Sequence, residues 1–435
     1  MTHYVVNTKK QQQAMLKEIG YDSFFELFQK TGITDCLHES LAIPKGITEF
    51  EAYDQMKSLA DENTVFKSIF RGAGAYRHYI PSVVKHITSR EEFVSAYTPY
   101  QAEISQGILQ AIYEYQTMIC ELTGMEVSNA SVYDGATAAA EAINMCIDSK
   151  KRKVILSNMI NPQIMTTIQT YYQFSDLELI YVNDIDGVID IDQLNDLIDE
   201  NVACIVLQTP NFEGCIEDIA LIRKTIKEVK MVTIVNPISL GLLEAPGALG
   251  SDIVVGEGQP LGLPLSFGGP YLGFMATSDQ LVRRLPGRIV GETIDINGKR
   301  AFTLTLQARE QHIRREKASS SICTNQALCA FTSAVYMSAL GPKGLAEVAN
   351  ACFQLAHYLE EQLNTLGFRS THRSDFFHEF VTDTPIKPDV LLTHLEKHGI
   401  LGGYQLADNR LLWCATEVNS KDEIDQLIKI IKEVR

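Results

Sequence analysis

The sequence predicts an α/β fold on a large, mostly parallel sheet, with a helical N-terminal segment and a small C-terminal α+β domain. Three observations carry this. Short runs rich in β-branched and aliphatic residues recur at Lys153–Ser157, Leu177–Val182, Ala203–Gln208, Met231–Val235, Asp252–Val255 and Tyr271–Ala276. They are apolar nearly throughout rather than alternating, as strands covered on both faces must be. Helix-like stretches at about 137–148, 160–172, 191–199 and 217–229 fall between these runs, the order that parallel crossovers require. Towards the C-terminus the pattern becomes a helix near 344–366, strands at about 376–381 and 411–416, and helices near 387–398 and 421–433. The division follows as a helical segment 1–65, a large domain 66–325 and a small domain 326–435.

Residues 1 to about 60 read as helical from the apolar spacing of Met15, Leu16 and Ile19 and of Phe24, Phe25, Leu27 and Phe28. Ala42–Ile47 reads as a linker. Phe70–Pro81 is rich in Gly and Tyr and reads as a structured loop. Ser105–Leu122 is an amphipathic helix with Gly124 placed to close it. Ser131–Ala142 runs from a strand end through Gly135 into an alanine-rich helix start. The free N–H groups of such a start suit a phosphate or carboxylate, and the alanines equally suit close packing on a sheet. Gly256, Gly258 and Gly262 do not make a dinucleotide fingerprint. Their spacing is wrong, and Pro260 and Pro264 forbid the helix that must follow.

With 38 Lys and Arg against 54 Asp and Glu, the formal charge is −16, which argues against a nucleic-acid partner. The opening residues lack an apolar core of signal-peptide length, and no apolar run is long enough to span a membrane. The nine cysteines are dispersed and never form C-x-x-C, as expected of reduced thiols in a cytoplasmic protein. His394 and His398 share a helix face at metal-pair spacing, but Glu396 is offset from the H-E-x-x-H pattern, so a surface pair in a last helical turn is the expectation. Two further segments stand out. Tyr97–Glu103 is an aromatic loop before a rigid helix, and Arg309–Lys317 is a cluster of three arginines and a lysine against two glutamates. There is also a gap: no lysine occurs between Lys230 and Lys299, although Ser251–Pro270 reads as a buried strand entering a Gly/Pro-rich loop.

Together the segments Phe70–Tyr76, His78–Pro81, Ala96–Glu103, Glu121–Gly124, Val127–Ala130, Tyr133–Thr137, Asn236–Gly241, Gly256–Pro270 and Gln311–Lys317 resemble the P-protein of the glycine cleavage system. Within that family they resemble the lysine-lacking subunit of its two-chain glycine dehydrogenase (decarboxylating). Ser319–Gln326 departs slightly from the Thr-Ser-Asn-Ile form associated with the family. The resemblance implies an aspartate-aminotransferase-like pyridoxal phosphate (PLP) fold. The implied reaction takes glycine and lipoylated H-protein to CO2 and aminomethyl-lipoyl H-protein.

In that fold the Schiff-base lysine sits at a strand end, where this chain has Gln259 and Pro260, and an aspartate meets the pyridine nitrogen where this chain has Asn236. The resemblance therefore implies no cofactor bound covalently here, PLP on a second subunit, and an assembly of two such pairs. It also implies that Tyr97, Thr98 and Tyr100 reach the partner's glycine pocket, with Arg71 and His78 as further candidates for that wall. Arg309, His312, Arg314, Arg315 and Lys317 are expected to meet the partner or H-protein. The rival readings are an independent PLP enzyme using Lys299 or Lys317, and a catalytically silent scaffold.

Overall fold

A computed structural model of the chain describes residues 7–33, 43–95, 97–318, 320, 322, 324–407 and 409–434. It divides into two compact units, 1–64 and 65–435. The first holds α1 (Lys9–Glu18), α2 (Phe24–Lys30) and α3 (Glu49–Asp61). Reciprocal capping boxes, Thr8 with Gln11 and Thr48 with Glu51, start α1 and α3. Of the expected linker, Ala42 lies outside the described residues and 43–47 carry no regular structure.

The second unit is built on a seven-stranded sheet. Its strands are β1 (Val127–Ser128), β2 (Lys153–Ser157), β3 (Glu178–Val182), β4 (Val202–Thr209), β5 (Lys230–Val235), β6 (Ile253–Glu257) and β7 (Gly273–Thr277). They lie in the order β1-β7-β6-β5-β4-β2-β3. From β6 to β3 every pairing is parallel, while β7 runs antiparallel to β6 and to β1. Helices cover both faces. On one, α5 (Gly135–Cys146) and α6 (Pro162–Tyr172) pack on Val154, Leu156, Cys204, Val206, Val232 and Val255.

The other face is shared. Ile155, Ile205, Leu207 and Met231 meet α7 (Ile191–Leu197) and α8 (Ile219–Ile226), while Val254, Phe274 and Ala276 meet α4 (Gln106–Thr123) and α9 (Ala327–Thr365). Successive residues of a strand point to opposite faces and both are buried, which is why the runs do not alternate. Each such side chain contributes about 1.5–3 kcal/mol of apolar burial.

Two elements differ from the sequence expectation. The helix expected near 344–366 is the second half of α9; an unexpected first half from Ala327 precedes it, and the two meet at Gly341, whose φ of 64° and ψ of 177° break the helical path before Pro342. Gly341-Pro342 signals a terminus in any local reading; here a second helix restarts at once. The hairpin β8 (Ile289–Ile294) and β9 (Arg300–Thr305) was not expected either. Glu292, Thr293, Ile294 and Arg300 are exposed, while Val290, Phe302 and Leu304 are buried and reach α4.

Beyond α9, β10 (Glu379–Asp383) and β11 (Arg410–Cys414) pair antiparallel in a four-stranded sheet, packed by α10 (Pro388–Lys397) and α11 (Lys421–Glu433). Its core gathers Phe368, Trp413, Leu391, Leu427 and Ile431. Phe70 joins that core, and Ser68–Ile69 pairs with Ile400–Leu401. The Gly/Tyr-rich loop that follows is tied down by Glu417, which accepts from the Tyr79 N–H at 2.7 Å and meets His78 Nδ1 at 2.7 Å. This loop is thereby carried back from the small sheet across the ends of β4, β5 and β6.

Candidate functional site

Open parallel sheets place ligands beyond the C-terminal ends of their strands, and a cavity of about 630 Å³ lies there. Gln208 of β4, Asn236 after β5, Glu257 ending β6, Asn161 after β2 and the first turn of α5 line it, and the loop Gly72–Tyr76 closes one side. Gly72 permits that closure, since a Cβ there would stand 2.4 Å from Glu379 Oε1 and 2.6 Å from the Tyr76 ring.

The expected lysine corner has become a joint. Gln259 is 1 % exposed. Its Oε1 accepts from the Tyr76 N–H at 2.9 Å, and its Nε2 donates to the Tyr76 carbonyl at 2.9 Å and the Leu263 carbonyl at 2.8 Å. The amide thus pairs with Tyr76 as a strand backbone would and holds the loop over the cavity. Asn236 is committed as well. Its Oδ1 accepts from the Ile238 N–H at 2.9 Å, and its Nδ2 lies 3.2 Å from His378 Nε2. Burial holds the His378 imidazole far below its ordinary range, hence neutral, so Nε2 is the acceptor.

Carboxylates dominate the rest of the site. Glu257 Oε2 accepts from the Gly135 N–H at 3.0 Å, and Oε1 from the N–H groups of Gln259 and Leu272 at 3.0 and 2.9 Å. Burial nevertheless pushes its carboxyl up to about 7. Glu379, 3 % exposed, accepts from the Tyr76 hydroxyl and the Ala73 N–H, both at 2.6 Å, and is also raised to about 7 by burial. Among the described residues, none that lines the cavity is Lys, Arg or His. A PLP held in this cavity, as the fold holds it elsewhere, would need an amine, a carboxylate at its ring nitrogen and a seat for its phosphate. Pro260 and Gln259, Asn236 and Glu257 supply none of these, so the residues present do not fit the cofactor.

The other expected residues lie elsewhere, and several come together. Tyr97 is 80 % exposed and Tyr100 49 %, with Thr98 half-buried between them. The Tyr100 hydroxyl accepts from Arg288 Nη2 at 2.7 Å, the Arg288 guanidinium stands 5.0 Å from the Tyr100 ring, and His312 meets that ring edge-on at 6.1 Å. The aromatic loop and the basic cluster therefore share one surface at Tyr100 and His312. Arg309 turns inward, donating to the carbonyls of Leu285 and Gly287. Arg314, Arg315 and Lys317 are exposed. Arg71 donates to the carbonyls of Gly402 and Gly403, and His78 faces Glu417, so both are engaged within the chain. In Ser319–Gln326, Ser319, Ser321 and Cys323 lie outside the described residues. His394 and His398 approach Glu433 of α11 at 3.9 and 4.0 Å on the surface of the small sheet's helices.

Sequence reasoning missed Arg288 and Glu257. Arg288 is 4 % exposed, and its other bond is to Asn325 Oδ1 at 3.3 Å. Nothing local marks it, because its partners come from distant segments. Glu257 did carry a signal, being the only charged residue between Asp252 and Asp279.

The family model of the glycine cleavage system P-protein matches residues 2–431. The "Probable glycine dehydrogenase (decarboxylating) subunit 1" of Moorella thermoacetica is 47 % identical over 441 residues, covering 99 % of each chain. A crystal structure of glycine decarboxylase (P-protein) of the glycine cleavage system, in inhibitor-bound form, superposes with a TM-score of 0.92 at 38 % identity and covers 100 % of both chains. An aspartate aminotransferase from Thermus thermophilus, at 15 % identity and a TM-score of 0.60 over 85 % of this chain and 99 % of its own, shares the fold.

Proposed function

Because this chain belongs to the glycine cleavage system P-protein family, we propose that it is the first subunit of a two-chain glycine dehydrogenase (decarboxylating), paired with a PLP-bearing second subunit of like fold. The complex releases CO2 from glycine and passes the aminomethyl group to the lipoyl arm of H-protein. The electron-accepting chemistry belongs to the cofactor on the second subunit. In this arrangement residues 66–325 act as the large domain and 326–435 as the small one, and two such pairs assemble. A cytoplasmic complex is in keeping with the seven described cysteines being free thiols.

This chain contributes a wall. Tyr97, Thr98 and Tyr100 face the glycine pocket of the second subunit, and Arg288 fixes the Tyr100 hydroxyl from beneath. His312 extends the same surface, while Arg314, Arg315 and Lys317 meet H-protein or the partner. The carrying observation is that an exposed aromatic loop is pinned by a buried arginine, an ordering that a merely solvated loop has no use for.

The test is glycine–bicarbonate exchange in the complex reconstituted with the second subunit. Replacing Tyr97→Phe together with Tyr100→Phe is expected to slow exchange roughly ten-fold or more, the scale of a lost positioning contact. Unchanged exchange with a weakened complex would establish the scaffold reading instead.

A further inference from the structure

The first turn of α5 is where this fold could offer backbone N–H groups and a positive dipole end to an oxyanion. Two carboxylates already hold that turn. Asp134 Oδ1 accepts from the Thr137 N–H at 2.7 Å, and Glu257 Oε2 from the Gly135 N–H at 3.0 Å. Glu257 does not swing freely, because its other oxygen is held by the N–H groups of Gln259 and Leu272. The contact is built into the packing: α5 lies so close to the end of β6 that a Cβ on residue 135 would stand 2.8 Å from the Glu257 nitrogen and 2.9 Å from its Cβ. A phosphate entering this cavity would have to displace a carboxylate from the turn and would meet no cationic side chain among the described lining residues.

We propose that Glu257 is a resident anion, occupying the oxyanion seat of the cavity so that phosphate-bearing ligands are excluded from this chain. The consequence that the cofactor is thereby confined to the second subunit rests on the function proposed above; the exclusion itself does not. Burial raises the Glu257 carboxyl to about 7, so at pH 8 it is charged and the exclusion is fullest. Glu257→Ser removes both the charge and the occupying group. Glu257→Gln keeps the shape and one of the two accepting oxygens, removes the charge, and turns an NH2 towards the N–H group or groups that the other oxygen served.

The full-length chain at pH 8 is titrated calorimetrically with inorganic phosphate, and separately with PLP and with unphosphorylated pyridoxal. Circular dichroism establishes that each variant is folded. The wild-type chain is expected to show no preference for PLP over pyridoxal. Glu257→Ser should bind phosphate roughly ten-fold or more tightly than wild type, the scale of an anion at a helix N-terminus, and phosphate should displace its PLP. Glu257→Gln should show a smaller gain, and it carries the test if the serine variant fails to fold. Wild-type chain that binds phosphate as tightly as the variants overturns the proposal, as does a folded variant with no gain. Failure of glycine exchange in the reconstituted complex would instead count against the proposed function and leave this titration untouched.

Discussion

Glu379 shows how single buried groups set this protein's response to pH. Burial raises its folded-state carboxyl to about 7 against an ordinary 4.5. The folded chain therefore holds a proton between those values that the unfolded chain releases. The stability linked to this group is present below about 4.5 and is lost as pH rises through 7, at about 1.4 kcal/mol per pH unit inside the window. Glu217 and Glu257, also raised to about 7, act in the same direction. His378, held neutral by burial, acts oppositely. The diagnostic quantity is therefore the difference between wild type and Glu379→Gln, which keeps an acceptor for Ala73 and a partner for the Tyr76 hydroxyl. The fall in urea midpoint from pH 5.5 to 7.5 is expected to be shallower in the variant by about 2 kcal/mol of unfolding free energy. Parallel pH profiles would rule this out.

Elements were legible where their pattern was local. The strands β2 to β7 and the helices α5 to α8 follow from apolar runs and helical spacing, because double-sided burial leaves no polar alternation to confuse the period. The hairpin β8–β9 was not legible, since its burial depends on α4, far away in sequence. The first half of α9 was not legible, because Gly341 and Pro342 mark a real break that sets it apart from the expected second half. Gly341 there makes a clean prediction. Beyond its chain neighbours and its own helix backbone, no described atom lies within 4 Å of where its Cβ would be, yet its φ of 64° with ψ of 177° is a conformation left almost wholly to glycine. Gly341→Ala should destabilise the protein by about 1–3 kcal/mol through backbone strain alone. A urea midpoint equal to wild type would show that the junction relaxes into helix. The candidate site divides the same way. The loss of lysine at 259 and 260 could be read directly, whereas the seat taken by Glu257 exists only because β6 and α5 meet.

At the scale of the molecule, charge is unevenly placed. The chain carries a formal −16, while Arg314, Arg315 and Lys317 stand exposed on the surface that includes His312 and Tyr100. Reversing Arg314→Glu with Arg315→Glu should weaken assembly or raise the apparent KM for H-protein. The effect should shrink as salt rises past ~0.15 M, where charges more than about 8 Å apart are largely screened. A defect that is constant with salt would point to local misfolding instead. Gln259 has a different kind of consequence, for what this corner could be made to hold. Three hydrogen bonds now run through its amide to Tyr76 and Leu263, so the corner that a catalytic lysine would need is holding up the cavity wall. A lysine arriving at 259 would break the wall, and one arriving at 260 would find no aspartate at 236 and a carboxylate already in the phosphate's place. Installing an amine here therefore means rebuilding 236, 257 and 259 together, because each of those side chains is already committed to contacts within this chain.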